Sequence, residues 1–475
     1  MMEHPPEITS ARPTERAVTA ELLRRYDRSG PRYTSYPTAV EFGPAVDGDV
    51  YAERLKLADA LGDAPLSLYM HLPFCQNRCL FCGCHVIITP HMHVARPYLE
   101  LVRQELALLA AHLPNRRRIS QLHLGGGTPT YFAPDDLRGL LVDVMAVFVP
   151  TPDAELAIEV DPRVTTDAHI DMLADLGFNR ISLGVQDLTP EVQQAIDRIQ
   201  TLEDTQRIIE RARARGFRGV NVDLIYGLPQ QTPEGFEKTV ESVLAMGPDR
   251  SAVYSFAYVP DQHRGHQRRI EVEDLPPAEL KLELFALARE RFLSAGYEPI
   301  GMDHFARQDD ELAKARREGR LRRNFQGYTV IPAEDSVGLG ISAIGDVRDA
   351  YVQNEKKLST YAQALRAGRL PVVRGVAKSA EDRLRADVIE ALMCNARVDF
   401  PAIEAAHGVA FREVFAEELG RLREHEEAGM VVVEPAAIVA TPKGELFIRN
   451  LAMCFDAYYW SRHAGADKPV FSRTV

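Results

Sequence analysis

Cys75, Cys79 and Cys82 stand in the pattern Cys-x3-Cys-x2-Cys, and a fourth cysteine, Cys84, follows two residues later. Three thiolates on one short loop can take three corners of an iron–sulfur cube and leave the fourth corner open. Cys84 could compete for that corner, or the four sulfurs could make a zinc site. Zinc sites usually draw paired ligands from two separated loops, so the spacing favours iron–sulfur chemistry over zinc and over inert core cysteines. Six cysteines in 475 residues are too few for a disulfide scaffold, and the crowding of four of them points to a metal site.

A loop with such chemistry has to be held by regular elements. Six apolar or alternating runs rich in Val, Ile, Leu and Tyr read as parallel strands: 67–72, 120–124, 155–160, 180–185, 220–226 and 251–259. Helical stretches separate them, with Thr165/Thr166 and Thr232-Pro233 as start signals and Gly177 and Gly247-Pro248 as stops. This is (βα)6 syntax, and right-handed crossovers give a parallel sheet curled into a full or partial barrel. Each strand runs into unusual residues. The cysteines follow the first, Gly125-Gly126-Gly127-Thr128-Pro129 the second, Glu159-Val160-Asp161-Pro162 the third and Gln186-Asp187 the fourth. Asp223 with Tyr226-Gly227-Leu228-Pro229 ends the fifth, and Ala257-Tyr258-Val259-Pro260 the sixth. Polar or metal-binding groups at all six C-terminal edges predict one shared mouth.

The expected organisation is an arm over residues 1–50 that covers the substrate site, a barrel domain over 51–365 and a C-terminal helical domain with a β-hairpin over 366–475. A long amphipathic helix over 274–295, the segment 297–307 and the segment 323–330 read as a lid or barrel closure. Helices near 379–395, 401–407 and 411–428, a hairpin over 430–440 and a last helix from Lys443 could form a winged helix. Residues 379–460, however, hold 15 Asp/Glu against 8 Lys/Arg, which favours a cap or docking domain over one that binds nucleic acid. The whole chain carries a net charge of −12, which argues against a large basic face for nucleic acid or anionic lipid. No stretch is long and apolar enough for a spanning helix, and the first 25 residues contain no apolar core of a signal peptide. The expectation is a cytoplasmic monomer.

Cys75-x3-Cys79-x2-Cys82 with the aromatic Phe81 resembles the signature of radical S-adenosylmethionine (SAM) enzymes. That resemblance implies a [4Fe–4S] cluster whose open iron is chelated by the amino and carboxylate groups of SAM. An electron passed through the cluster then cleaves the sulfonium and yields a 5′-deoxyadenosyl radical. The Gly125–Thr128 run resembles the glycine motif that lets backbone approach the methionine end of SAM. The likeness narrows further: YMHLPFCQNRCLFCGC (69–84), QLHLGGGTPTY (121–131), IEVDPR (158–163), FNRISLGVQD (178–187), NVDLIYGLPQQTPE (221–234), GMDHFAR (301–307), RNFQGYT (323–329) and SGPRYTSYPTA (29–39) resemble the oxygen-independent coproporphyrinogen III oxidases. This family implies anaerobic oxidative decarboxylation of two propionates of coproporphyrinogen III to vinyls, giving protoporphyrinogen IX in haem synthesis. It also implies a low-potential electron donor, which the sequence does not identify.

Carried over position by position, the resemblance implies Cys75, Cys79 and Cys82 as cluster ligands. It implies Tyr69, Gly126 and Glu159 for one SAM, and Phe81, Gly127, Thr128, Gln186, Arg198, Asp223, Ala257 and Ile344 for a second. Glu159 and Asp223 can accept hydrogen bonds from ribose hydroxyls or ammonium, and Arg198 can clamp a carboxylate, although by sequence alone the acids could cap helices and Arg198 reads as a solvated helix residue. Arg32, and with it Arg323, is expected to bind substrate propionates; the plainer reading of Arg32 is a loop arginine facing water. Cys84 is expected to serve the substrate reaction, because a fourth thiolate on iron would exclude SAM; its plainer reading is a small buried side chain. The loop 85–93 is rich in histidine, and His91-x-His93 reads as solvated rather than as a second metal site, while 261–269 is more polar than the family pattern. A haem chaperone of the same superfamily is the competing reading. Cys84, the segment 323–329 and the arm 29–38 all favour the oxidase. Replacing Cys75, Cys79 or Cys82 by Ser should remove both the cluster absorbance and SAM cleavage after anaerobic reconstitution; full iron content in all three variants would refute the assignment.

Overall fold

The computed structural model describes residues 22, 25–260, 265–331, 333–464 and 471–474. Most of the first half of the expected arm, part of the polar loop 261–269 and the terminal Val475 lie outside the described residues. The six strands read from sequence are present as β1 (Leu66–Leu72), β2 (Arg118–Gly126), β3 (Val149–Val160), β4 (Arg180–Gln186), β5 (Gly219–Tyr226) and β6 (Arg250–Ser255), paired in parallel in that order. They form the middle of a twelve-stranded open sheet. Beyond β6 lies the antiparallel hairpin β7 (Tyr297–Ile300) and β8 (His304–Arg307), of which β8 pairs with β6. On the other side β9 (Ser336–Leu339) pairs in parallel with β1, and β10 (Ile344–Val347), β11 (Ala350–Asn354) and β12 (Val372–Ala377) continue antiparallel.

Two expectations change in detail. The segment 297–307 is a hairpin that extends the sheet edge, whereas 322–329 forms its own small hairpin, Arg322–Asn324 with Gly327–Thr329, over the concave face. A seventh parallel strand, β9, was not foreseen; at four residues it is too short for a periodic signal. The main sheet runs on to Ala377, so the boundary expected at 365 falls inside the helix Leu358–Arg366 that precedes its last strand.

Period-two alternation explains how this sheet makes a site. Leu68, Met70, Leu122, Leu124, Leu156, Ile158, Leu183, Val220 and Val222 are buried in one apolar core with Leu106, Leu141, Val144, Leu173, Ile208 and Val240 of the covering helices. The alternate residues Ser67, Gln121, His123, Glu155, Glu159, Ser182, Asn221 and Asp223 line a cavity of about 150 Å³ on the concave side. The helices start and stop at the expected signals. Thr166 and His169 form a reciprocal cap, Thr232 accepts from the Gly235 amide, and Gly247 ends its helix at φ +64°. The floor of the lumen is closed by ion pairs: Arg180 with Glu155 at 3.2 Å, and Arg250 with Asp310 at 2.9 Å and with Glu311 at 2.8 Å.

The C-terminal unit has its own core, in which Phe400 and Phe411 stack at 4.1 Å beside Phe415 and Phe455. Its sheet has three antiparallel strands, Arg397–Asp399, Ala437–Ala440 and Val431–Val433, one more than the hairpin expected. Tyr26, Tyr33 and Tyr36 of the arm are buried in this core rather than in that of the barrel. The Tyr33 hydroxyl donates to Asp456 at 3.0 Å, and Arg449 donates to the Pro31 carbonyl at 2.9 Å. Among the described residues no helix is long and apolar enough to cross a membrane.

Arg116 and Asp335 form a fully buried ion pair joining the approach to β2 with the start of β9; Arg116 also donates to the Ala64 carbonyl at 2.8 Å, and Asp335 accepts the Arg348 amide at 2.6 Å. Removing one partner strands the other charge out of water. Asp335→Ala should therefore lower unfolding stability by about 3–5 kcal/mol, read from the shift in denaturant midpoint; a loss under about 1 kcal/mol would contradict this account.

Candidate active site

The loop after β1 brings the cysteines to the mouth. Phe74–Cys75 pairs in parallel with Ile87–Ile88, the Cys82 amide donates to the Cys79 carbonyl at 3.2 Å, and the Leu80 amide donates to the Ile196 carbonyl at 2.9 Å. Cys75 Sγ lies 3.5 Å from Thr128 Oγ1. Cys79 Sγ accepts from Arg163 at 3.5 Å and from Arg198 at 3.6 Å, and both arginines also hold Asp161, at 2.7 and 3.0 Å. Cys84 is exposed. Its thiol hydrogen-bonds to Cys82, bringing the Cys82 thiol down to about 7 while pushing its own up. Among the described residues no three Cys, His, Asp or Glu side chains are grouped closely enough to hold a single metal ion.

The glycines of β2 are forced by contact. A Cβ on Gly125 would lie 2.8 Å from the Glu159 carboxylate, one on Gly127 would lie 2.6 Å from the Pro73 backbone, and Gly126, at φ +112°, would press a Cβ to 2.5 Å from the His71 ring. The Gly127 and Thr128 amides donate to the Leu72 and Phe74 carbonyls, both at 2.9 Å, which locks this run against the start of the cysteine loop. His71 Nε2 faces the His85 carbonyl at 3.0 Å and must donate to it, so Nδ1 accepts the Tyr69 hydroxyl at 3.0 Å. Burial holds this imidazole neutral, down to about 4.

Glu159 is the meeting point of the mouth. His123 Nε2 lies 3.2 Å from one carboxylate oxygen, and the Gly126 amide donates to the other at 3.3 Å. Desolvation works against its charge, but His123 and the Gly126 amide outweigh it and hold the carboxyl below its ordinary range. Asp223 accepts from Ser182 at 3.1 Å and from Asn221 at 2.7 Å, yet burial, with the Glu159 charge, pushes it up to about 6. Gln186 follows a bulge in β4 and is buried at φ +69°. Arg198, expected on sequence grounds alone to be solvated, is instead 6% exposed. It donates to the Gly184 carbonyl at 2.5 Å, and its Nε has no partner in the structure.

The structure thus gathers Tyr69, the four cysteines, Gly126, Gly127, Thr128, Glu159, Gln186, Arg198 and Asp223 around one rim. Phe81 packs at the rim with Leu80, Ile196, Ile225 and Phe256. Ala257 sits past the end of β6, where its carbonyl accepts from Gln267 at 3.1 Å. Ile344 does not line the cavity that holds Glu159 and Asp223 but the one adjoining it through Ser67, Gln121 and Thr329. This second cavity, of about 440 Å³, lies between the arm, the 322–329 hairpin and the C-terminal unit. Arg32 reaches from the arm to the Ser255 carbonyl at 3.1 Å and lies 3.8 Å from Asp303. The rings of His91 and His93 are 5.6 Å apart and both residues are exposed, as a solvated pair should be. Sequence reasoning missed His71, His123, Arg163, Asn221 and His304. His123 and Asn221 carried a usable signal, since both sit two residues before a residue already singled out on the same face of a strand.

Comparisons with known proteins agree with this geometry. Residues 69–243 match the model of the Radical SAM superfamily, and residues 379–447 match the HemN C-terminal domain. The sheet and the cysteine loop are therefore those of a radical SAM protein. The oxygen-independent coproporphyrinogen III oxidase of Pseudomonas aeruginosa is 43% identical over 96% of this chain and 98% of its own length, and that of Salmonella typhimurium is 45% identical over 96% and 98%. The solved structure of coproporphyrinogen III oxidase (HemN) from Escherichia coli, described as a radical SAM enzyme, superposes with a TM-score of 0.86 at 42% identity, covering 91% of this chain and all of that one. The chain belongs to the family of oxygen-independent coproporphyrinogen III oxidases. Gly126→Ala should lose about 1–3 kcal/mol of stability, because alanine is strained at this φ and its methyl meets His71. Thermal denaturation reads the loss, and an unchanged midpoint would contradict the close approach.

Proposed function

We propose that the protein carries out the oxygen-independent oxidative decarboxylation of two propionate side chains of coproporphyrinogen III to vinyl groups, giving protoporphyrinogen IX in haem biosynthesis. The observation that carries this reading is the three-thiol loop packed against a glycine run and Glu159 at one rim, in a chain of this family. Its cofactors are a [4Fe–4S] cluster and SAM, the pair used throughout the radical SAM superfamily.

The residues present fit these groups. Sulfur of Cys75, Cys79 and Cys82 supplies three ligands, and the guanidinium groups of Arg163 and Arg198 place positive charge against one of them. The glycine run keeps side chains out of the space beside the loop, and the orphaned Nε of buried Arg198 calls for an acceptor that the described residues do not provide. When bound, the two cofactors supply a carbon-centred radical that removes a hydrogen atom from a propionate. Tyr69, Gly126 and Glu159 are our candidates for contacts to the first SAM; the Glu159 carboxylate, kept ionised by His123, can accept hydrogen bonds from an ammonium or a ribose. Phe81, Gly127, Thr128, Gln186, Arg198, Asp223, Ala257 and Ile344 are the candidates for a second, with Arg198 as carboxylate clamp. Arg32 is assigned to a substrate propionate. We further assign an unidentified low-potential reductant as electron source, a monomeric state, a cytoplasmic site of action, no role for nucleic acid or membrane, and division into arm, barrel and C-terminal domain.

Cys84 is assigned to the substrate rather than to the cluster. It is exposed at the mouth, while its neighbour Cys82 is the cluster candidate, and a fourth thiolate on iron would close the corner that SAM needs. There it can orient the reacting propionate or steer the substrate radical toward loss of carbon dioxide. The decisive experiment is an anaerobic assay of the reconstituted protein with coproporphyrinogen III, SAM and a strong reductant, following vinyl products. The wild type should form protoporphyrinogen IX, and Cys84→Ser should retain iron and SAM binding with at least a hundredfold loss of vinyl formation, about 2.7 kcal/mol of barrier. Absence of product from the wild type would refute the function; normal turnover by the variant, or loss of its cluster, would refute the role of Cys84.

A further inference from the structure

The substrate named above carries four carboxylates, yet the cavity beside the cysteines is itself lined by Glu159 and Asp223, and the two arginines by Cys79 are already paired with Asp161. A propionate held there for reaction leaves other carboxylates that must be met elsewhere. Past the ends of β5 and β6 a small pocket lies between Tyr226, Ser255 and Phe285 on the barrel side and Arg449 on the C-terminal unit. Two arginines line it, and a lysine stands just outside its lining. Arg32 enters from the arm. Lys281 comes from the helix Ala278–Ser294 and lies across Gly227, where a Cβ would meet its Cε at 2.7 Å. Arg449 comes from the helix Ile448–Met453.

Their counter-charges are incomplete. The Lys281 ammonium lies 6.0 Å from the centre of the Tyr226 ring, and its hydrogen-bond partner is the Phe256 carbonyl at 3.4 Å; among the described residues no carboxylate lies within 4.0 Å of it. Arg449 is 6% exposed and donates to neutral acceptors, the carbonyls of Gly30, Pro31 and Arg473 and the Ser472 hydroxyl. Two acids share the lining, Asp303 and Glu445, and Glu445 is paired with Arg316 at 2.8 Å; Asp27 is paired with Arg473. Asp303 is shared, 2.7 Å from His304 and 3.8 Å from Arg32. Burial brings the Lys281 ammonium down to about 8; the nearest charge effects are a pull from Asp27, which opposes the shift, and weaker individual repulsions from Arg32, Arg473 and Arg449, which add to it. Positive charge held out of water without a matching anion is costly, and an incoming carboxylate relieves that cost.

We propose that this pocket is an anchoring subsite for a substrate propionate that is not reacting, with Arg32 in its lining and Lys281, beside its Tyr226 wall, as the ligands. Arg449 is a positioning residue: it adds charge, and by binding the Gly30 and Pro31 carbonyls it fixes the stretch of arm from which Arg32 extends. The Tyr226 and Phe285 rings, 5.2 Å apart, give the pyrrole edge and methylenes an apolar wall. The inference rests on coproporphyrinogen III being the substrate.

The test compares wild type, K281M, K281Q and K281R as reconstituted holoenzymes. Removing the charge in K281M or K281Q should raise the KM for coproporphyrinogen III at least tenfold with kcat within threefold and SAM affinity unchanged, and K281R should return KM to within threefold of wild type. Fluorescence titration with coproporphyrin III, the oxidised substrate with the same four carboxylates, should show the same order of affinities without turnover. A KM and a coproporphyrin affinity within threefold of wild type in both uncharged variants would overturn the subsite, as would a loss that K281R does not rescue. Failure of the wild type to convert coproporphyrinogen III would instead strike the substrate assignment, and the titration would then still decide whether Lys281 binds a porphyrin carboxylate.

Discussion

Parallel pairing is the constraint on which the rest depends. Seven neighbouring strands, β9 and β1 to β6, run in one direction, so every strand-to-helix loop emerges on the same rim. Chemistry scattered over about 190 residues of sequence is thereby brought to one place. The pleat does the complementary work: leucines and valines face the helices, and Gln121, His123, Glu159, Asn221 and Asp223 face inward. Neither effect requires an unusual residue. Of the unusual residues, the glycines at the end of β2 are needed where two loops approach more closely than side chains allow, and the cysteines after β1 are needed for their sulfur.

Charge divides this space into two regions. Around the cysteines three acids are each anchored by their own donors: Glu159 by His123 and a backbone amide, Asp161 by two arginines, Asp223 by Ser182 and Asn221. Toward the arm and the C-terminal unit the uncompensated groups are cationic. A large anionic substrate can then be oriented by the difference between the two regions, while the arm, buried through its tyrosines in the C-terminal core, links them mechanically. The same partition explains why a protein of net charge −12 can still present arginine and lysine to a polyanion.

Much of the architecture was legible in sequence because its signals are local. Val220, Val222 and Leu224 alternate with Asn221 and Asp223, and Thr232 and Gly247 bracket a helix. What escaped was non-local. β9 is short and earns its place only by pairing with β1, and the hairpin β7–β8 extends an edge that no local pattern announces. Arg198 follows a short amphipathic helix and read as solvated, because its burial comes from Gly184 and Asp161 on other strands. Ile344 carried a family role without a local signal, and the structure sets it in a cavity that shares Ser67, Gln121 and Thr329 with the one lined by Glu159 and Asp223. Arg163, adjacent to a motif already noticed, was missed because its partner Cys79 lies 84 residues earlier.

The central claim is that three cysteines hold a cluster and leave one iron open to SAM at this rim. Electron–nuclear double resonance on the anaerobically reduced, reconstituted protein tests it most directly, using SAM labelled with a heavy nitrogen isotope in its amino group. The account predicts hyperfine coupling between that nitrogen and the cluster. A cluster signal that labelled SAM leaves unchanged under saturating conditions would contradict it.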